Sequence, residues 1–156
     1  MLLEGTVADL SHDGSGVIKS GEKVYFVDGA LPGETVEFTP QRKRKGRHNG
    51  VLENVLTPSA DRIEAPCEYF GVCGGCALQH LDHDAQFQFK EKQLLENLAR
   101  IGRVSPESLR EGIRGPAWNY RRKARLGAKL VPKKGGILVG FRERNSSFIT
   151  SLKDCQ

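Results

Sequence analysis

Lys23-Val24-Tyr25-Phe26-Val27-Asp28-Gly29-Ala30-Leu31-Pro32-Gly33-Glu34-Thr35-Val36-Glu37-Phe38 carries two short valine-rich and aromatic alternations on either side of turn chemistry. A period of two puts every second side chain on one face of an extended chain, so Lys23–Val27 and Glu34–Phe38 read as strands with one face free for a core. Asp28-Gly29 is a turn pair. Leu31-Pro32-Gly33-Glu34 sets Pro at the second position and Gly at the third, as a type II turn requires. Working back toward the start, Gly5-Thr6-Val7-Ala8-Asp9-Leu10 repeats the alternation, and Asp13-Gly14-Ser15-Gly16 is a further turn. Short strands at this spacing across residues 2–57 predict a small β-barrel. Gly14-x-Gly16 does not open a dinucleotide loop, because position 19 is Lys and no helical pattern comes after it.

Working forward, Gln41-Arg42-Lys43-Arg44-Lys45-Gly46-Arg47-His48 packs five fixed positive charges into six residues. The whole chain carries only +5, from 24 Lys plus Arg against 19 Asp plus Glu, so the clustering informs more than the total. The stretch predicts a hairpin that meets nucleic-acid phosphates through Arg42, Lys43, Arg44, Lys45 and Arg47; the alternative is a solvated hairpin tip. Five contacts to single-stranded RNA would give a slope of log affinity against log salt of roughly −3.5, at about −0.7 per contact.

A barrel this small buries little apolar surface and is expected to dock on the segment C-terminal to it. Thr57-Pro58-Ser59-Ala60 reads as the linker, and just beyond it lies Cys67-Glu68-Tyr69-Phe70-Gly71-Val72-Cys73-Gly74-Gly75-Cys76. With Cys155 these are all four cysteines of the 156-residue chain, in a C-x5-C-x2-C plus C arrangement. Three local thiols and one remote suit a metal centre whose ligands converge from several directions, and the 3+1 layout leans toward iron–sulfur rather than zinc, which favours paired knuckles. Two disulfides are the alternative, disfavoured in a reducing cytosol. Gly74 and Gly75 allow a tight fold that turns backbone N–H groups toward sulfur. Tyr69, Phe70 and Val72 are apolar enough to shield a centre from water. His80 and His83 come too soon after Cys76 for a zinc finger and read as residues at a helix start.

Asp82 is expected to cap a helix running to about Arg100, stopped by Gly102, with Phe87, Leu94, Leu98 and Ile101 on one apolar stripe and Phe89 nearly opposite. Trp118-Asn119-Tyr120-Arg121-Arg122-Lys123-Ala124-Arg125-Leu126 reads as a strand whose Tyr120, Arg122 and Arg125 can stack bases or grip phosphates, against the plainer reading of an edge strand guarded by charge. Gly136–Phe141 and Ser147–Thr150 are further strand-like runs leading to Cys155. The expected class is mainly β with some α. Leu2, Leu3 and Glu4 come after Met1 without a basic, apolar leader, and no stretch approaches a membrane span, so a cytoplasmic protein away from membranes is expected, as a monomer.

The basic barrel, Cys-Gly-Gly-Cys-x-x-Gln-His at Cys73–His80, Tyr-Arg-Arg-Lys-Ala-Arg at Tyr120–Arg125, Val-Gly-Phe-Arg at Val139–Arg142 and a distal cysteine together resemble the RumA/RlmD-type 23S ribosomal RNA (uracil-5-)-methyltransferases. The resemblance spans essentially the whole chain, and its specific part is the cysteine spacing with Gly-Gly and Gln-His. It implies an OB-like TRAM barrel at residues 1–57 that helps select ribosomal RNA. For residues 58–156 it implies an iron–sulfur segment in which Cys67, Cys73, Cys76 and Cys155 hold a 4Fe-4S cluster, and the start of a central region. It implies that the parent enzyme forms 5-methyluridine at a position of the uracil-1939 type. The S-adenosylmethionine-binding domain, with its catalytic cysteine and general base, would lie outside these residues. The chain then reads as an inactive N-terminal piece with no catalytic residue of its own. The competing expectation is a free-standing RNA-binding module with a structural metal.

Overall fold

The computed structural model describes residues 1–43, 46–153 and 155, with the backbone alone of Lys134. The chain divides into two compact units, Met1–Asp82 and His83–Gln156. Mainly β with one helix, it has the class the alternations indicate.

In the first unit β1 (Leu3–Leu10), β2 (Ser15–Ser20), β3 (Lys23–Asp28), β4 (Thr35–Pro40) and β5 (His48–Thr57) close into a barrel in the order β1-β2-β3-β5-β4. Neighbours are antiparallel except β3 and β5, whose parallel pairing of Tyr25–Val27 with His48–Gly50 closes the barrel. This is the expected OB-like architecture. Its core is Val7, Ile18, Tyr25, Val27, Ala30, Val36 and Phe38, the inward members of each alternation, with the Tyr25 and Phe38 rings 5.2 Å apart. The outward members form rows of their own. Val17 of β2 lies opposite Phe26 of β3, which lies opposite Asn49 of β5.

Two glycines show how tightly the barrel is drawn. A Cβ on Gly50 would lie 2.6 Å from Phe38 Cδ2 and 3.0 Å from Val27 Cγ2, so only a residue without one lets β5 cross the core ring. Gly33 has φ of 82°, and Glu34 N–H donates to Leu31 O at 3.2 Å, which is the type II turn expected from Leu31-Pro32-Gly33-Glu34.

Glu34, at the end of that turn, is wholly buried and anchors the chain that leaves β5. Its carboxylate accepts from Leu31 N–H at 2.8 Å, Ser59 N–H at 3.1 Å and the Arg62 guanidinium, through Nε and, at 2.8 Å, Nη2. Arg62 Nη2 also donates to Gly29 O at 2.6 Å. Burial opposes ionisation of Glu34, but the hydrogen bonds from Arg62, Leu31 and Ser59 outweigh it and hold the carboxyl below its usual range. The stretch read as a linker is thereby hydrogen-bonded to the barrel at Ser59.

The second unit begins with α1 (His83–Asn97), directly after Asp82 as expected, continued by a wider π-type turn at Leu98–Gly102. The left-handed stop falls on Arg103, φ 53°, one residue beyond the expected Gly102. The apolar stripe is not a core: α1 has no buried residue, and Leu94 and Ile101 are 56% and 80% exposed. Phe87 does pack closely, sitting where Gly112 has no Cβ and beneath the Arg114 guanidinium, 4.1 Å from the ring centroid. Arg114 also pairs with Asp84.

Trp118–Leu126 is not a strand. Asn119 takes a left-handed φ of 58°, and regular pairing begins only at β6 (Gly127–Val131), antiparallel to β7 (Gly136–Gly140) across a short 3-10 turn at Pro132–Lys134. Alternation alone cannot make a strand from a run so rich in charge when no partner among the described residues supplies the ladder. Gly136–Phe141 is the strand anticipated, whereas Ser147–Thr150 reaches only an isolated bridge between Ile149 and Arg142.

Candidate functional site

Residues 61–82 form a loop closed at its own neck. Arg62 bridges Leu81, Ile63 N–H donates to His80 O at 3.0 Å, and Asp82 N–H donates to Asp61 O at 2.8 Å. Arg62 is thus both a neck residue and the partner of Glu34, so one side chain fixes the loop to the barrel. Leu78 and Ala77 pack at Gly14, where a Cβ would meet them at 3.1 and 3.3 Å.

Within the loop, tight turns space the cysteines. Phe70 N–H donates to Cys67 O at 3.0 Å, Cys73 N–H to Tyr69 O at 2.8 Å, and Gly71 takes φ of 87°. His80 is buried with its ring centroid 5.1 Å from that of Phe70. Of the expected shield, Tyr69 and Phe70 are half-buried while Val72 is exposed. Cys67 is half-buried, Cys73 buried and Cys76 exposed; Cys155, in the second unit, is exposed, and none of the four is in a disulfide. In donor type these thiols suit an iron–sulfur centre, and Gly75 N–H directed at Cys73 Sγ, 3.4 Å, is the sort of bond that steadies a thiolate. Among the described residues no three His, Cys, Asp or Glu side chains converge as a metal-holding group.

The basic hairpin divides into residues with different surroundings. Arg42 and Lys43 are exposed in the β4–β5 connection, just past the end of β4. Arg44 and Lys45 lie outside the described residues. Arg47 is engaged: its guanidinium lies 3.7 Å over the Phe26 ring, and Nη1 and Nη2 donate to Asp13 Oδ2 and Oδ1 at 2.7 and 3.2 Å. Burial opposes ionisation of Asp13, but hydrogen bonds from Arg47 and Ser11 prevail and hold its carboxyl far below the usual range. Tyr120, Arg122 and Arg125 are exposed on an irregular segment, with Arg121 5.7 Å over the Tyr120 ring. They form no common strand face.

The Glu34–Arg62 pair was not visible in the sequence. Glu34 there is one acidic residue at the end of a turn, and only the closed barrel shows that it faces inward.

No protein-family model matches the chain. Curated relatives match nearly all of it. A 23S rRNA (uracil(1939)-C(5))-methyltransferase RlmD of Thiobacillus denitrificans is 48% identical over 150 residues, 96% of this chain and 35% of the relative. Proteins of the same name from Aromatoleum aromaticum and Chromobacterium violaceum are 45% and 46% identical over 149 residues, again 96% of this chain, and 34% and 29% of those proteins. The chain spans about a third of the length of the curated relatives it matches.

Proposed function

We propose that this chain, which belongs by sequence to the RlmD-type 23S rRNA (uracil-5-)-methyltransferases, is the N-terminal RNA-recognition and iron–sulfur part of such an enzyme. The observation that carries the reading is 48% identity across 96% of the chain, in company with an OB-like barrel whose β4–β5 connection is basic. Residues 1–57 would be the RNA-binding TRAM barrel and residues 58–156 the cluster segment with the start of the central region. The whole protein would transfer a methyl group from S-adenosylmethionine to C5 of a uracil of the 1939 type, using residues beyond these, and this segment alone would be inactive. Among the described residues no helix is long and apolar enough to cross a membrane. The enzyme would work on ribosomal RNA in the cytoplasm, as a monomer.

Cys67, Cys73, Cys76 and Cys155 would hold a 4Fe-4S cluster, which when bound cross-links remote parts of the chain. Methyl transfer to uracil needs no electron, so its work is structural. Because no three such side chains among the described residues converge in advance, binding would be coupled to ordering of the loop. Glu34 and Arg62 would keep the loop neck fixed meanwhile.

Arg42, Lys43, Arg44, Lys45 and Arg47 on the barrel, with Tyr120, Arg122 and Arg125 on the second unit, are the proposed RNA contacts. The test is the salt dependence of RNA binding by the chain. Arg42→Glu with Lys43→Glu should flatten the slope by roughly 1.4, at about 0.7 for each single-strand phosphate no longer neutralised. An unchanged slope would reduce the hairpin to a solvated tip.

A further inference from the structure

We propose that Arg47 is a base-stacking platform of the barrel rather than a phosphate contact, its guanidinium placed over Phe26 and clamped by Asp13 so that the outer side can receive a nucleobase of single-stranded RNA. The inference rests on the barrel being an RNA-binding module and says which of its cations does what.

Three features set Arg47 apart from Arg42 and Lys43. Its guanidinium carbon sits over the Phe26 ring, 3.7 Å from the centroid, which is stacking distance. Two parallel hydrogen bonds to Asp13 fix the plane, since a fork-to-carboxylate pair leaves it little rotation. The same pair neutralises its charge locally, and a cation already held by a carboxylate has little left to offer a phosphate. The Arg47 side chain is nevertheless 26% exposed. With Phe26 beneath it, a planar ligand can meet only the opposite side.

The surroundings suit a base. Arg47 ties the β4–β5 connection to the β1–β2 connection, where Asp13 is steadied by Ser11 Oγ, which donates to it at 2.5 Å. Both connections flank the outer row Val17, Phe26 and Asn49, a surface with apolar width and one amide. On barrels of this type the faces of the second and third strands and these two loops are where oligonucleotides bind. Arg42 and Lys43, a few residues back on the same connection, are exposed and can take the flanking phosphates. Arg47 therefore supplies stacking, which every base accepts, while its neighbours supply charge.

The experiment compares binding of the full chain to a short single-stranded RNA and to its abasic counterpart, which has the same phosphates and no bases. The wild type should prefer the base-bearing oligomer by about fivefold or more, the margin that stacking one base supplies. The double variant Asp13→Asn with Arg47→Ala removes the pair without changing net charge, and Arg47→Lys keeps the charge without the plane. Both should lose the margin. The double variant should also keep the wild-type salt slope, while Asp13→Asn alone, releasing the Arg47 charge, should steepen it by about 0.7. Circular dichroism and thermal unfolding confirm that the variants fold, as expected where no core side chain is touched. A margin that survives in the double variant, or a slope flattened by about 0.7 there, overturns the inference and leaves the barrel an RNA binder. Failure of the wild type to bind either oligomer would instead remove the RNA-binding reading, and this inference with it.

Discussion

Replacing Arg62 by alanine should free the neck of the cysteine loop from the barrel. The side chain of Glu34 is 0% exposed and that of Arg62 24%. Arg62→Ala removes both guanidinium bonds to Glu34 and the one to Gly29 O, leaving the carboxylate inside the protein with only the Leu31 and Ser59 amides. Breaking a buried ion pair from one side costs about 3–5 kcal/mol. Because Arg62 is partly reached by water, the lower end, about 3 kcal/mol, is expected, a large share of the ~5–15 kcal/mol that stabilises an ordinary domain. Urea unfolding measures the loss, and hydrogen exchange locates it, since the Ile63 and Asp82 amides that close the neck should lose protection first. The pH dependence gives a second reading. Glu34 has its folded pKa below the ordinary value of 4.5, so its contribution is complete above that value and is lost as pH falls through the folded one. The stability gap between wild type and Arg62→Ala should therefore close in acid, below about pH 4.5, and not in base. A loss under about 1 kcal/mol with the neck amides still protected would refute the reasoning.

Gly50→Ala should destabilise the barrel by about 1–3 kcal/mol in thermal or urea unfolding, because the new Cβ meets the Phe38 ring inside a packed core. Gly33→Ala has open space around it and should cost only backbone strain, about 1 kcal/mol, so the two alanines separate steric from conformational cost. Cys155→Ser, remote in sequence from the loop, should lower iron content after anaerobic purification; content equal to wild type would mean that residue 155 is no ligand.

The barrel could be read from the sequence wherever local chemistry decides. Val24 to Val27 and Val36 to Phe38 alternate as strands must, and the turn at Leu31–Glu34 has Gly where a positive φ falls. What alternation cannot encode is the partner of each strand: the parallel seam between β3 and β5 depends on residues more than twenty apart in the chain. The same limit explains the misreading at Trp118–Leu126, which alternates well but, among the described residues, has no neighbour to pair with; at α1 the stripe marks an apolar side without saying what covers it. In the candidate site, the three loop cysteines and the basic hairpin were plain from residue type and spacing. The burial of Glu34 and the capture of Arg47 by Asp13 and Phe26 were not, since each joins segments that meet only once the barrel has closed.

Iron and acid-labile sulfide analysis of the anaerobically purified chain, with its visible spectrum, tests the central claim most directly. The account predicts a brown protein with about four irons and about four sulfides per chain and absorption from thiolate-to-iron charge transfer. Colourless protein with stoichiometric zinc would contradict it.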